Sequence, residues 1–204
     1  MKTPFYNPAK PWPQVNMPTH YDELPFPSGP ESGGWLAAGK RAQDIVSNGG
    51  IVLLNGPWGT GKTFLAYELA KDCHAVPEPF FPEDNLFDHR RPVVYYIAQQ
   101  LFDEYRAAFS GDDTAEEITE HAVDASILII DELSKAVTTE FENQRLNHIV
   151  NLRYSRDRPT ILIANYEPDA IGAAVDPSIL SRIQEVGGVI LCDWSSFRAN
   201  PPKA

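Results

Sequence analysis

Gly56-Pro57-Trp58-Gly59-Thr60-Gly61-Lys62-Thr63 lies between an apolar run, Ile51-Val-Leu-Leu-Asn55, and a segment of helical spacing that runs from Thr63 to about His74. Gly56, Gly59 and Gly61 tolerate the unusual φ/ψ values that turn successive backbone N–H groups toward one anion. The helix that follows aims its positive end at the same point. The pattern G-x-x-x-x-G-K-T in this strand-to-helix context therefore predicts an ATP phosphate cradle made of Gly56 through Thr63. Lys62 is expected to reach the β- and γ-phosphates, and the Thr63 hydroxyl to sit on Mg²⁺.

Outward from this loop, helical and apolar segments alternate. The runs Ile51–Asn55, Val93–Ala98, Ile127–Ile130, Thr160–Ala164 and Val189–Cys192 read as strands covered on both faces. Helical spacing is found over Trp35–Ser47, around Leu101, Phe102, Tyr105 and Ala108, after a capping box at Thr114 and Glu117, and over Thr138–Arg153. This order predicts an α/β sandwich around a central five-stranded parallel sheet. Residues 1–34 carry eight prolines, from Pro4 to Pro30, and read as an extended arm preceding a domain over 35–204. The arm's aromatics, Phe5, Tyr6, Trp12, Tyr21 and Phe26, suit either packing along its own domain or binding a partner. The connection from Ala75 to Pro92 reads as an exposed loop.

Three strand ends add chemistry to the cradle. Ile127-Leu-Ile-Ile-Asp131-Glu132 puts Asp131 at the carboxyl end of a buried strand, where it can hold a metal through water. Glu132 beside it is placed to orient and deprotonate an attacking water. Ile161-Leu-Ile-Ala164-Asn165 ends in an amide suited to the γ-phosphate or the lytic water, and asparagine there also suits a turn. Arg182, at the end of a short helix after Asp176-Pro177, can meet transition-state phosphate charge in a neighbouring subunit or form a surface ion pair.

Composition bounds the rest. The 204 residues are 43% hydrophobic and 22% charged, as expected of a globular chain. No apolar run approaches the roughly 20 residues that span a bilayer, and the proline-broken N-terminus carries no secretory signal, so a cytoplasmic location is expected. Cys73 and Cys192 cannot form a disulfide framework or a four-ligand zinc site. The formal charge of −11 excludes loose, charge-driven attraction to nucleic acid by the whole surface. Arg145, Arg153, Arg156 and Arg158 form one local basic cluster, which suits a DNA channel, a neighbouring nucleotide or a solvated helix end.

In this order the features resemble an AAA+ ATPase of the DnaC/IstB group, which comprises helicase loaders and ATPase helpers of transposition. The resemblance spans about Trp35 to Arg198. It is carried by GPWGTGKTFLAYELA, YYIAQQLFDEYRAAF, ILIIDEL, RYSRDRPTILIANY and SRIQEVGGVILCDWSSFR. It implies a three-layer P-loop sandwich, with Gly56 to Thr63 as Walker A, Asp131 and Glu132 as Walker B, Asn165 as sensor 1 and Arg182 as arginine finger. ATP with Mg²⁺ would sit between subunits of a ring or helical homo-oligomer. The implied partner is a replicative helicase or another replication or transposition protein, with single-stranded DNA as a further candidate and no membrane. Ser178 stands where several members carry a second arginine. A C-terminal helical lid is expected to be reduced or absent, and the proline-rich arm stands in place of a folded N-terminal domain, as in a compact loader of phage type. A P-loop small-molecule or nucleotide kinase is the alternative of another class; it would depend strictly on an added phosphate acceptor.

Overall fold

The computed structural model describes residues 14–29, 32–74, 92–108 and 115–198. Thr114 of the expected capping box and most of the connection from Ala75 to Pro92 lie outside these residues. In chain order the elements are β1 (Gln14–Val15), α1 (Ser32–Ser47), β2 (Ile51–Asn55), α2 (Lys62–His74), β3 (Val93–Ile97), α3 (Ala98–Ala108), α4 (Ala115–Asp124), β4 (Leu128–Asp131), α5 (Leu133–Ala136), α6 (Glu140–Tyr154), β5 (Thr160–Ala164), α7 (Ile171–Ala174), α8 (Pro177–Val186) and β6 (Gly188–Leu191). The strands form one sheet in the order β1-β3-β4-β5-β2-β6. Every pairing is parallel.

The five expected strands are β2 to β6, and a two-residue sixth strand joins them from the proline-rich stretch. There Gln14 and Val15 pair with Val93 and Val94. The following residues lie on the domain's own core. Met17 is buried, and Tyr21 and Phe26 pack on Phe64, with ring centroids 5.8 and 6.0 Å away. Asp22 accepts from the Tyr67 hydroxyl and pairs with Lys71 at 3.6 Å. Extended backbone rich in proline suits a short edge strand, because an edge leaves half of its donors unused.

Alternation along each strand divides the core. Val52, Leu54, Ile129, Ile161 and Ile163 face α1 and α2, while Ile51, Leu53, Leu128, Ile130 and Leu162 face α3, α4, α6 and α8. Both faces are covered, which is why β2 and β5 are apolar and buried along their whole length apart from terminal Asn55 and Thr160. At about 25 cal/mol per Å² of apolar area, these strands anchor the fold. The first helix begins at Ser32, inside the expected arm, because Trp194 lies against its first turn. A Cβ at Gly34 would come within 3.0 Å of that indole. Helix α6 starts at a complete capping box, with Thr139 as cap and Glu142 as its reciprocal partner. Among the described residues no helix is long and apolar enough to cross a membrane.

Candidate nucleotide site

Strand β2 lies between β5 and the edge strand β6, and the loop 56–63 begins at its carboxyl end. Gly59 and Gly61 adopt φ of +83° and +78°, conformations that L side chains rarely take. Side chains would also collide: a Cβ at Gly59 would meet the Ser196 Oγ at 2.0 Å. Lys62 turns back over the loop, and its Nζ donates to the carbonyls of Gly56 at 2.7 Å and Pro57 at 2.6 Å. Its side chain is buried, and that burial pulls its pKa below the ordinary lysine value. The lysine is thus a desolvated cation held by neutral partners.

Strand β4 lies two places from β2, with β5 between them, so the ends of all three converge beside the loop. Asp131, the last residue of β4, is buried and accepts from the Thr63 hydroxyl at 2.7 Å and the Tyr95 hydroxyl at 3.1 Å, both through Oδ2. Its Oδ1 accepts from the Glu132 N–H at 2.6 Å. Burial and the Asp131 charge push Tyr95 well above the usual phenol range, so it remains a donor. Glu132 adopts φ of +59°, in the left-handed region, and its carboxylate pairs with Lys135 at 2.9 Å. That conformation starts the short helix α5, whose four residues are too few to show a helical period in the sequence. Asn165 follows β5; its N–H donates to the Ser134 Oγ at 3.2 Å, while its own Oδ1 is buried with no partner among the described residues. A buried acceptor of this kind carries an energetic penalty unless something fills it.

These groups line a cleft of about 470 Å³ that contains Lys62, Thr63, Asp131, Glu132 and Asn165. Tyr21 and the segment Leu24–Ser28 form one wall, and Trp58, 64% exposed, stands at the rim. Arg198 also lines it, contributed by the tail after β6. Arg198 has no role in the motifs read from sequence; the signal for it is a Trp-x-x-Phe-Arg tail placed just after the last strand. Arg182 stands apart from this cleft. Its Nη1 donates to the Ser178 carbonyl at 2.7 Å, its guanidinium lies 5.4 Å from the Tyr154 ring centroid, and its Nε is buried with no partner among the described residues.

The basic cluster is not a continuous stripe. Arg153 is fully buried and donates to the carbonyls of Ala122, Val123, Ala125 and Pro159 and to the Thr160 hydroxyl. Arg145 lies over the rings of Tyr105 and Phe141, and Arg156 pairs with Asp124 at 3.3 Å. Helical spacing put these arginines near one another in sequence, but it did not reveal that one of them points into the protein.

Known proteins match both the sequence and the fold. The replicative helicase loader DnaC of Buchnera aphidicola subsp. Acyrthosiphon pisum is 23% identical over 167 residues, covering 80% of this chain. The loader DnaC of Escherichia coli K12 is 22% identical over 164 residues. This chain spans 63% of the first relative's length and 62% of the second's. A crystal structure of the DnaC helicase loader superposes with a TM-score of 0.62 at 15% identity, over 84% of this chain and 94% of that one. The sequence pattern of the ATPase family associated with various cellular activities (AAA) matches residues 52–187, from within β2 through the loop, Asp131 and Asn165 to the end of α8. The chain belongs to that family.

Proposed function

We propose that this protein binds ATP with Mg²⁺ in the cleft at the carboxyl edge of its sheet and hydrolyses it to load or remodel a replicative helicase on single-stranded DNA. The observation that carries the nucleotide reading is the 2.7 Å hydrogen bond from the Thr63 hydroxyl to Asp131 beneath the glycine loop. A hydroxyl and a carboxylate are the donor types Mg²⁺ takes beside a nucleotide, so the residues fit the ion. Thr63 and Asp131 would hold it, and when bound it supplies positive charge to the phosphate oxygens.

The rest follows from residues of this chain. The loop Gly56 to Thr63 wraps the phosphates, with the backbone N–H groups of Gly59 to Thr63 as its donors. Lys62 exchanges its loop carbonyls for phosphate oxygens and gains a charged partner. Glu132 leaves Lys135 to take the proton of an attacking water. Asn165, whose Oδ1 has no partner among the described residues, holds that water or the terminal phosphate. Arg198 faces the phosphates from within the chain, and Arg182 reaches the cleft of a neighbouring copy in a ring or helical assembly. The helicase partner is supported by the relatives named replicative helicase loaders, which match four-fifths of this chain.

The test uses Glu132→Gln and the host's replicative helicase. The variant should bind ATP as the wild type does, release no phosphate, and retain the helicase in an ATP-dependent complex. Failure of both proteins to co-purify with the helicase, with ATP and without it, rejects the loader reading. ADP formation that requires an added acceptor, with the phosphoryl group transferred to that acceptor, would favour the kinase.

A further inference from the structure

Three successive carbonyls of the glycine loop are held from outside it. Beside the helical bond that the Gly61 carbonyl accepts from the Leu65 N–H at 2.8 Å, the Gly59 carbonyl accepts from the Phe197 N–H at 2.8 Å, the Thr60 carbonyl from the Trp194 indole N–H at 2.9 Å, and the Gly61 carbonyl a second bond from the Trp35 indole N–H at 3.3 Å. The donors come from two distant elements, the first turns of α1 and the tail after β6. They are fitted to each other as well as to the loop. Trp194 lies on Gly34, Ser196 fills the place a Gly59 side chain would take, and Phe197 with Trp35 closes on Gly61.

A trans peptide unit is planar, so the carbonyl of one residue and the N–H of the next point in opposite directions. Pinning the carbonyls of Gly59, Thr60 and Gly61 outward therefore turns the N–H groups of Thr60, Gly61 and Lys62 the other way. Glycine at positions 59 and 61 lets this loop adopt many conformations, and the cradle needs one of them. We infer that Trp194 and Trp35 are positioning residues of the phosphate site, whose indole N–H groups preset the loop for a nucleoside di- or triphosphate. This rests on the nucleotide reading above. Core packing alone would explain one buried and one half-buried ring; it does not require both indole nitrogens to end on adjacent carbonyls of one loop.

The test compares wild type with Trp194→Phe and Trp35→Phe, which keep an aromatic ring and remove the donor. Two quantities are measured on full-length folded protein: ADP affinity by calorimetry, and, without ligand, amide hydrogen exchange of Phe197 and Leu65, whose N–H groups bond the Gly59 and Gly61 carbonyls. Each variant should exchange these amides about tenfold faster and bind ADP about five- to tenfold more weakly, the scale of one lost hydrogen bond. Leu36→Ala, on the exposed side of α1, should change neither. Unchanged exchange together with ADP affinity within twofold of wild type overturns the inference. Should a variant not fold, the wild-type indole resonances decide. Trp194 and Trp35 N–H signals protected from solvent and shifted by ADP support the inference, and rapidly exchanging, unshifted signals overturn it. A wild type that binds no ADP rejects the nucleotide reading, while the exchange comparison still judges the indoles.

Discussion

Lys62 and Arg153 are both buried cations, and they sit at opposite ends of one sheet. Lys62 follows the carboxyl end of β2 and rests on two carbonyls of a glycine loop. Arg153 lies at the amino end of β5, where five hydrogen bonds take up its guanidinium. The partners make the difference. The carbonyls of Ala122, Val123 and Ala125 close α4, and a helix end buried without donors is unstable. Arg153 supplies those donors and ties α4 to β5 through Pro159 and Thr160. Lys62 completes nothing comparable, and its partners can be exchanged for a better one. A buried cation with saturated donors is part of the fold, and one with replaceable donors is available to a ligand.

The largest effect should come from breaking the saturated one. Arg153→Ala leaves four buried carbonyls short of a donor and should cost about 3–5 kcal/mol, a large part of the roughly 5–15 kcal/mol that holds a domain together. Urea unfolding would show this as a lower midpoint with little change in slope, and Arg153→Lys should recover only part because an ammonium lacks the planar fork. Lys62→Ala should behave in the opposite way. It should lower ATP affinity by about two orders of magnitude and leave the unfolding midpoint unchanged or raised, because a desolvated charge is removed. Equal destabilisation by the two substitutions would collapse the distinction.

The same contrast explains what could be read from sequence. The loop, Asp131 and Asn165 were legible because each depends on local pattern: glycines at fixed spacing, or an apolar run ending in one polar residue. Parallel strands covered on both faces were legible for the same reason. Residues 14–29 were not, because proline and scattered aromatics give no period, and the pairing with β3 is decided entirely by tertiary contact. Burial of Arg153 was hidden because four arginines over fourteen positions look alike until α4 is packed against them. Arg198 reaches the cleft, and Trp194 the loop, because β6 returns the chain beside β2, while Trp35 meets the same loop from α1.

A subtler test of Lys62 is pH. Burial holds its ligand-free pKa below the ordinary value, and phosphate would raise it again. Binding therefore favours the protonated form. Affinity should be full below the ligand-free pKa and decline as pH rises through it toward the bound value. Calorimetry in two buffers of different ionisation enthalpy should show proton uptake on ADP binding in the alkaline range. Lys62→Ala should remove that uptake, and uptake that persists in the variant would assign it to another group.

The smallest effect should come from Arg156, three residues beyond Arg153. Its guanidinium meets Asp124 at 3.3 Å, close in space to the α4 carbonyls that Arg153 caps, but the two side chains are 50% and 58% exposed. Water already solvates both charges, so the pair gains little by forming and loses side-chain freedom. Arg156→Ala should change stability by less than about 1 kcal/mol, and added salt should shrink even that. Urea midpoints for Arg153→Ala and Arg156→Ala at low and high salt would set the two side by side. A salt-independent loss of several kcal/mol at Arg156 would mean that exposure does not separate the cluster's members, and that the end of α6 is held by the arginines as a group.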